Sequence, residues 1–175
     1  PFNVAVGLAR LGQPVGFFSA ISTGFAGERL MRTLVAEGVD TQAITRLAAP
    51  TTLSLIGLDA QGVPSYAFYG EGCADRLLQA SDLARVPSGL TVVNVGSYAT
   101  VVEPTASALR ALVERERGRA LIAYDPNIRL NVEPDLQRWR DRARHQIVIG
   151  GSVMPHRDVA EPIDHVFGRK NVPGC

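Results

Sequence analysis

The chain has 175 residues, 46% hydrophobic and 20% charged, and its 18 basic against 17 acidic side chains leave a formal net charge of +1. This length suits one domain with a full hydrophobic core. Balanced charge without a basic stripe argues against a nucleic-acid partner, and no apolar run approaches the roughly 20 residues of a membrane-spanning helix.

The two cysteines, Cys73 and Cys175, are far apart and have neither Cys-x-x-Cys nor Cys/His spacing. They predict no disulfide framework and no zinc site. A reducing cytoplasm is therefore the expected location, with no membrane contact. The chain begins at Pro1 without an initiator Met, and we expect a fragment at this end.

The first elements alternate between helix and strand. Asn3 is a candidate N-cap for a helix that runs to Leu11, and Gly12 is its predicted stop. The apolar run Val15–Ile21 predicts a buried strand, and a second helix is expected over Phe25–Glu37. This order indicates a parallel sheet covered by helices.

Two short β-rich runs then follow without a helix between them. Thr52–Leu58 and Ser65–Tyr69 are joined by the turn sequence Asp59-Ala60-Gln61-Gly62 and predict a hairpin. Tyr66 and Phe68 would share one face. The hairpin is either a flap over a ligand crevice or an edge hairpin whose aromatic residues only pack.

The α/β pattern then resumes with a short helix near Ser81–Arg85 and a buried strand over Thr91–Val95. A helix from Pro104 to Arg117 would bury four apolar residues, namely Ala108, Leu109, Leu112 and Val113. A strand over Leu121–Tyr124, buried on both faces, and a helix over Pro134–Arg144 complete the pattern. The domain is thus expected over residues 1–149, and the Gly- and Pro-containing segment 150–175 is expected to be an irregular tail.

A polar cluster follows the strand that ends at Tyr124. Asp125, Asn127 and Arg129 fall where a parallel strand leaves its sheet, which is where open α/β sheets bind ligands. Pro126 stiffens this loop. A carboxylate, an amide and a guanidinium suit a polyhydroxylated or phosphorylated ligand. The alternative is that Asp125 and Asn127 only cap the turn while Arg129 pairs with a surface carboxylate.

Several common catalytic motifs are absent from the sequence. It has no Gly-Lys-Ser/Thr triplet, and Gly24-Phe25-Ala26-Gly27 lacks dinucleotide-binding spacing. Tyr98 is followed four residues later by Val102 instead of the Lys expected of a dehydrogenase. The histidines lack His-Glu-x-x-His spacing, and no serine lies in a Gly-x-Ser-x-Gly elbow.

In several segments the sequence resembles the PfkB, or ribokinase-like, carbohydrate kinases, and within them the fructokinase-like branch. The resemblance covers about residues 1–142. The matching segments are Pro1–Gly12, Ile21–Gly27, Gly38–Thr41, Gly96–Ser97 and Tyr124–Arg129, the last containing the Asp-Pro-Asn-x-Arg pattern typical of fructokinases.

The resemblance implies a ribokinase-like, Rossmann-type three-layer α/β/α core, incomplete here, with the hairpin at about residues 51–70 as a small β lid. It implies transfer of the ATP γ-phosphoryl group to a sugar hydroxyl, with Mg²⁺. It places Asn3 on sugar hydroxyls, Phe68 as an apolar wall against the sugar, and Asn127 and Arg129 beside the sugar and the transferred phosphoryl group.

The departures from the family pattern are equally specific. The Gly-Gly pair and the Asp-bearing strand expected before Asn3 are absent, and Gly24 replaces a loop Asp. The Asn-x-x-Glu magnesium segment and the Gly-Ala-Gly-Asp motif, which supplies the catalytic base, are also absent, so no catalytic or metal-binding residue is assigned. We expect a truncated or frameshifted product that is inactive as it stands.

Two alternatives to an enzyme fragment remain. One is a non-catalytic module that binds sugar or forms a homodimer through the lid. The other is an unrelated α/β domain, although it lacks a cofactor motif. Fructose binding and ATP turnover would separate these interpretations.

Overall fold

The computed structural model describes residues 1–58 and 60–150, so the predicted tail falls almost entirely outside the described residues. The helices are α1 (Phe2–Arg10), α2 (Phe25–Ala36), α3 (Thr105–Glu116) and α4 (Leu136–Gly150). The strands are β1 (Ser19–Ser22), β2 (Ile44–Leu47), β3 (Leu53–Leu58), β4 (Pro64–Tyr69), β5 (Val92–Gly96) and β6 (Leu121–Asp125). Short 3₁₀ turns cover Ala74–Arg76, Ala80–Arg85 and Ser97–Thr100.

The described strands pair two by two. β1 and β2 are parallel, with Ser19 opposite Ile44, and β5 and β6 are parallel, with Val92 opposite Leu121. β3 and β4 form the predicted antiparallel hairpin. The sequence thus correctly predicts an α/β pattern interrupted by one hairpin, but it did not predict β2.

The core lies on both sides of the parallel strands. Val93 and Val95 of β5 pack with Leu109, Leu112 and Val113 of α3, which confirms the predicted buried side of that helix. On the other side, Ala5 of α1 and Leu34 of α2 pack around Ile21 of β1. Helices therefore cover the strands from two faces, as a layered α/β domain requires.

Two local predictions are wrong. The helix predicted to start after Asn3 already begins at Phe2, with Pro1 at the N-cap position and no capping side chain, so Asn3 is inside the first turn and exposed. The strand predicted to be buried on both faces buries Ile122 but leaves Leu121 38% exposed, because in the described structure β6 pairs along one edge only.

A buried carboxylate near the end of α3 makes the stability of the fold depend on pH. Glu116 has no exposed surface, and it accepts hydrogen bonds from Arg119 Nε at 2.9 Å and from Arg115 Nε at 2.7 Å. The bond from Arg119 is the largest cause of a lowered pKa for Glu116. The stability that this group contributes is present above the pKa of an unfolded Glu, and it is lost as the pH falls through the lowered folded pKa.

We expect Glu116→Gln to lower the free energy of unfolding at neutral pH by about 1 kcal/mol, because two charge-assisted hydrogen bonds are lost and solvent screens the partly exposed Arg115 and Arg119. The difference in free energy of unfolding between the variant and the parent should become smaller in acid, where Glu116 of the parent is protonated and therefore also neutral. Urea unfolding at neutral and acidic pH measures this. The exposed Glu71→Gln is the control, and an equal deficit at both pH values would contradict the assignment.

Candidate functional site

The ends of β5 and β6 lie against each other and set the shape of the candidate site. A Cβ added at Gly96 would lie 2.1 Å from the carbonyl oxygen of Asp125, so a larger residue cannot occupy this position without moving the strands. Just beyond each strand, Ser97 (φ 59°) and Asn127 (φ 36°) have a positive φ. Non-glycine residues adopt such angles at an energetic cost. Both loops are therefore held in unusual conformations.

The predicted polar loop is organised around its own backbone. Asp125 Oδ1 accepts a hydrogen bond from the backbone N–H of Asn127 at 3.1 Å, the pattern of an Asx turn. Arg129 Nη1 donates to the carbonyl oxygens of Ile128 at 3.0 Å and of Asn127 at 3.4 Å. Asp125 therefore caps the turn, as one sequence interpretation predicted, whereas the partners seen for Arg129 are loop carbonyls and not a surface carboxylate.

A second polar cluster, which the sequence did not predict, is centred on Asp75. Its carboxylate accepts hydrogen bonds from Thr52 Oγ1 at 2.6 Å and from the Tyr98 hydroxyl at 2.8 Å. Thr105 Oγ1 donates to its backbone carbonyl at 3.0 Å, and the Arg76 guanidinium lies 5.4 Å from the centre of the Tyr98 ring. These five residues, here called the Asp75 cluster, join the hairpin to the loop that follows β5.

The Asp75 cluster keeps Tyr98 in its neutral form. Burial is the largest cause of a raised pKa for Tyr98, and the neighbouring charge of Asp75 adds to it. The hydroxyl is therefore a permanent hydrogen-bond donor at ordinary pH. In the sequence, Tyr98 was considered only as a dehydrogenase tyrosine. A Thr at the hairpin entry with an Asp just past its exit is the signal that could have identified the cluster.

The hairpin is joined to the domain at its base. Besides the bond from Thr52 to Asp75, the backbone N–H of Ala74 donates to the carbonyl of Pro50 at 2.8 Å. Every residue of β3 is exposed, whereas Phe68 of β4 is partly buried. The hairpin thus extends from a fixed base with most of its surface open to solvent.

A cavity of about 880 Å³ lies between β1, β5 and α1, within the roughly 300–1,000 Å³ common for small-molecule sites. Its wall includes three members of the Asp75 cluster, namely Asp75, Tyr98 and Thr105, and the sequence neighbours Thr51 and Ser97. The Thr51 hydroxyl is buried and has no hydrogen-bond partner in the part of the chain described by the structure. It is therefore free to bind a ligand hydroxyl.

The four substrate residues predicted from the sequence do not line this cavity. Its wall includes none of Asn3, Phe68, Asn127 and Arg129. Asn3 and Asn127 are exposed, whereas Phe68 and Arg129 are partly buried. The sugar-binding role of these four residues stays a prediction.

The described residues offer little that could hold a metal ion. Within 1–58 and 60–150, no group of three His, Cys, Asp or Glu side chains forms a candidate metal site. Over the same residues, every helix is too short or too polar to cross a membrane.

Comparison with known proteins links this geometry to one family. The model of the family described as "pfkB family carbohydrate kinase" matches residues 1–146. A fructokinase of Rhizobium leguminosarum bv. trifolii is 35% identical over 128 residues, which are 73% of this chain and 39% of that protein. The chain thus spans less than half the length of this relative.

Solved structures agree with the sequence comparison. A fructokinase from Xylella fastidiosa superposes with a TM-score of 0.78 at 27% identity, covering 86% of this chain and 49% of that one, and another structure of a fructokinase from this organism contains ATP. A Vibrio cholerae fructokinase in a fructose-, ADP- and calcium-bound form has a TM-score of 0.70 at 27% identity, covering the same shares of the two chains. These likenesses confirm the predicted α/β kinase fold.

Proposed function

The chain belongs to the pfkB family of carbohydrate kinases, and on this premise we propose that it forms the sugar-binding part of an ATP-dependent, fructokinase-like sugar kinase. The observation that carries the proposal is the contact between the ends of β5 and β6, with their strained loops and the polar groups around them. This is where α/β sheets bind ligands. Hydroxyl, amide and carboxylate groups at such an edge match the hydroxyls of a sugar.

A role follows for each of the four residues predicted from the sequence. Asn3, exposed on the first turn of α1, would bond sugar hydroxyls, and the partly buried ring of Phe68 would form an apolar wall as the lid closes. Asn127 would bond the sugar with its exposed amide. The guanidinium of Arg129 would leave its two backbone carbonyl partners and bind the sugar or phosphoryl oxygens instead. Phosphoryl oxygens are charged, so they bind a guanidinium more strongly than carbonyl oxygens do.

The proposed reaction requires ATP and a divalent cation, in line with the ATP, ADP and calcium bound in the neighbouring structures. When bound, these groups supply the phosphoryl group and neutralise its charge. We assign the described residues only the binding and orientation of the sugar. We expect the 175-residue polypeptide to bind sugar without measurable turnover.

Calorimetric titration with D-fructose and a coupled assay with ATP and Mg²⁺ test the proposal. Fructose binding without turnover is expected for this polypeptide, and turnover would show that it is a complete enzyme. The absence of both would contradict the proposed sugar-binding role.

We expect Arg129→Gln to weaken fructose binding about 10- to 100-fold, because one charge-assisted hydrogen bond contributes roughly 1.5–3 kcal/mol. Arg117→Gln is the matched control, since Arg117 is an exposed arginine just after α3. Calorimetry measures both affinities. Equal affinities for the parent and Arg129→Gln would show that Arg129 does not contribute to fructose binding.

The exposed hairpin favours a second function, homodimerisation through the lid. Six of its large apolar side chains are 52–69% exposed, namely Leu53, Leu55, Ile56, Leu58, Val63 and Tyr69. Leu53, Leu55 and Tyr69 share one face of the hairpin, and Ile56 and Leu58 share the other. Clustered exposed apolar residues mark interaction sites. A second copy of the hairpin would cover the same apolar residues on both partners, as a two-fold interface requires.

We expect Ile56→Lys to weaken self-association at least about tenfold, because a charge would be buried in the interface. Light scattering coupled to size-exclusion chromatography over a range of protein concentrations measures the mass. Leu11→Lys is the control, since Leu11 is 75% exposed but lies at the end of α1. If the parent is a monomer at all concentrations, lid-mediated dimerisation is excluded.

A further inference from the structure

The hydroxyl groups of two neighbouring threonines, Thr51 and Thr52, are in opposite situations. Thr52 Oγ1 donates a hydrogen bond to Asp75 at 2.6 Å, and Thr52 does not line the cavity. Thr51 lines the cavity, but its hydroxyl is buried and has no hydrogen-bond partner within residues 1–58 and 60–150. A buried hydroxyl without a partner lowers the stability of a protein. A ligand that bonds the Thr51 hydroxyl would remove this penalty.

The segment that carries Thr51 is held against Asp75 from both sides. Before Thr51, the carbonyl of Pro50 accepts a hydrogen bond from the backbone N–H of Ala74 at 2.8 Å. After Thr51, the side chain of Thr52 bonds the Asp75 carboxylate. Ala74 and Asp75 line the same cavity as Thr51. Thr51 and Asp75 therefore border one part of the cavity.

The Asp75 carboxylate has room for a further hydrogen bond. It accepts one from Thr52 at Oδ1 and one from the Tyr98 hydroxyl at Oδ2, whereas an ionised carboxylate has about four acceptor positions. Asp75 thus offers an acceptor to a ligand, and the hydroxyl of Thr51 both donates and accepts. The two side chains together match two neighbouring hydroxyls of one ligand.

We infer that Thr51 and Asp75 form a subsite for two neighbouring sugar hydroxyls, in which Thr51 selects sugars that carry a hydroxyl at the position it bonds. The inference rests on the proposed sugar-binding function and adds two residues to it. The Thr51 oxygen is buried in the free protein, so it turns toward the ligand by rotation about the Cα–Cβ bond, from one staggered position to another. A site that bonds a hydroxyl discriminates against the analogue lacking it, because the polar groups of the site are then left unpaired.

The first test is the stability of Thr51→Val, which removes the hydroxyl at nearly constant volume. We expect a higher urea midpoint of unfolding, since a methyl group replaces an unpaired buried hydroxyl. Thr105→Val is the contrasting variant, because Thr105 lines the same cavity with a paired hydroxyl. It accepts from the N–H of Leu78 at 3.2 Å and donates to the carbonyl of Asp75 at 3.0 Å, so Thr105→Val should have a lower midpoint.

The second test is calorimetric titration with D-fructose and its single-deoxy analogues. The parent should bind at least one analogue about 3- to 10-fold more weakly than fructose, the usual effect of losing one neutral hydrogen bond. Thr51→Val should bind fructose more weakly by a similar factor and should bind fructose and this analogue equally, whereas Thr51→Ser should restore the difference. Thr33→Val is the control and should bind like the parent, since Thr33 is on α2 and does not line the cavity.

Three results would overturn the inference alone. The first is a lower urea midpoint for Thr51→Val, which would show that the hydroxyl is paired in the free protein. The second is an unchanged affinity of this variant for fructose, and the third is an equal loss of affinity for fructose and for every analogue. A parent that does not bind fructose would instead contradict the proposed function, and the inference with it.

Discussion

Replacing Trp139 with Ala should lower the free energy of unfolding by about 3–5 kcal/mol, the usual cost of removing a large buried aromatic side chain. Trp139 has no exposed surface, and its Nε1 donates to the carbonyl of Glu133 at 2.9 Å. Through this residue and the buried Ala143, α4 packs on the rest of the domain. A domain of this size is stable by roughly 5–15 kcal/mol, so much of that margin would be lost.

Urea unfolding monitored by circular dichroism is the suitable measurement. Trp139 is the only tryptophan of the chain, so the variant has no tryptophan fluorescence with which to follow unfolding. Trp139→Phe should lower the free energy of unfolding by less, since phenylalanine keeps most of the apolar volume of the side chain. Gln137→Ala, at an exposed position of the same helix, should change the stability by less than about 0.5 kcal/mol. A loss below 1 kcal/mol for Trp139→Ala would show that α4 does not anchor on this side chain.

Replacing Asp75 with Ala should lower the free energy of unfolding by about 2–4 kcal/mol and make the hairpin more mobile. Thr52 and Tyr98 would both lose their acceptor, and an unpaired buried donor costs about 1–3 kcal/mol. The hairpin should also become easier to cleave by protease, because the hydrogen bond between Thr52 and Asp75 at its base is lost. The pKa of Tyr98 should fall but stay raised, since burial is the larger cause.

Urea unfolding, limited proteolysis and spectroscopic titration of Tyr98 measure these three effects. Asp141→Ala, whose side chain is 63% exposed, is the matched control and should leave all three unchanged. Tyr98→Phe identifies the titration of Tyr98 among the four tyrosines. If Asp75→Ala lowers stability but leaves the Tyr98 titration unchanged, the bond between the two side chains does not form in solution.

The sequence by itself determined much of the architecture. It predicted three of the four helices to within two residues at each end, the hairpin, and the buried side of α3, because these features appear as local periodicity and as turn residues. It also located the polar loop from Asp125 to Arg129 after a strand, and it identified the family from short segments in the right order. Each of these features depends on residues that are close together in the chain.

Only the tertiary structure decided the strand partners and the Asp75 cluster. β2 has four residues with no clear alternation, and it is a strand because it pairs with β1. Thr52 and Tyr98 each lie 23 residues from Asp75, and no local pattern records a contact over that distance. The cavity between β1, β5 and α1 is likewise a product of packing, because the residues that line it come from segments far apart in the chain.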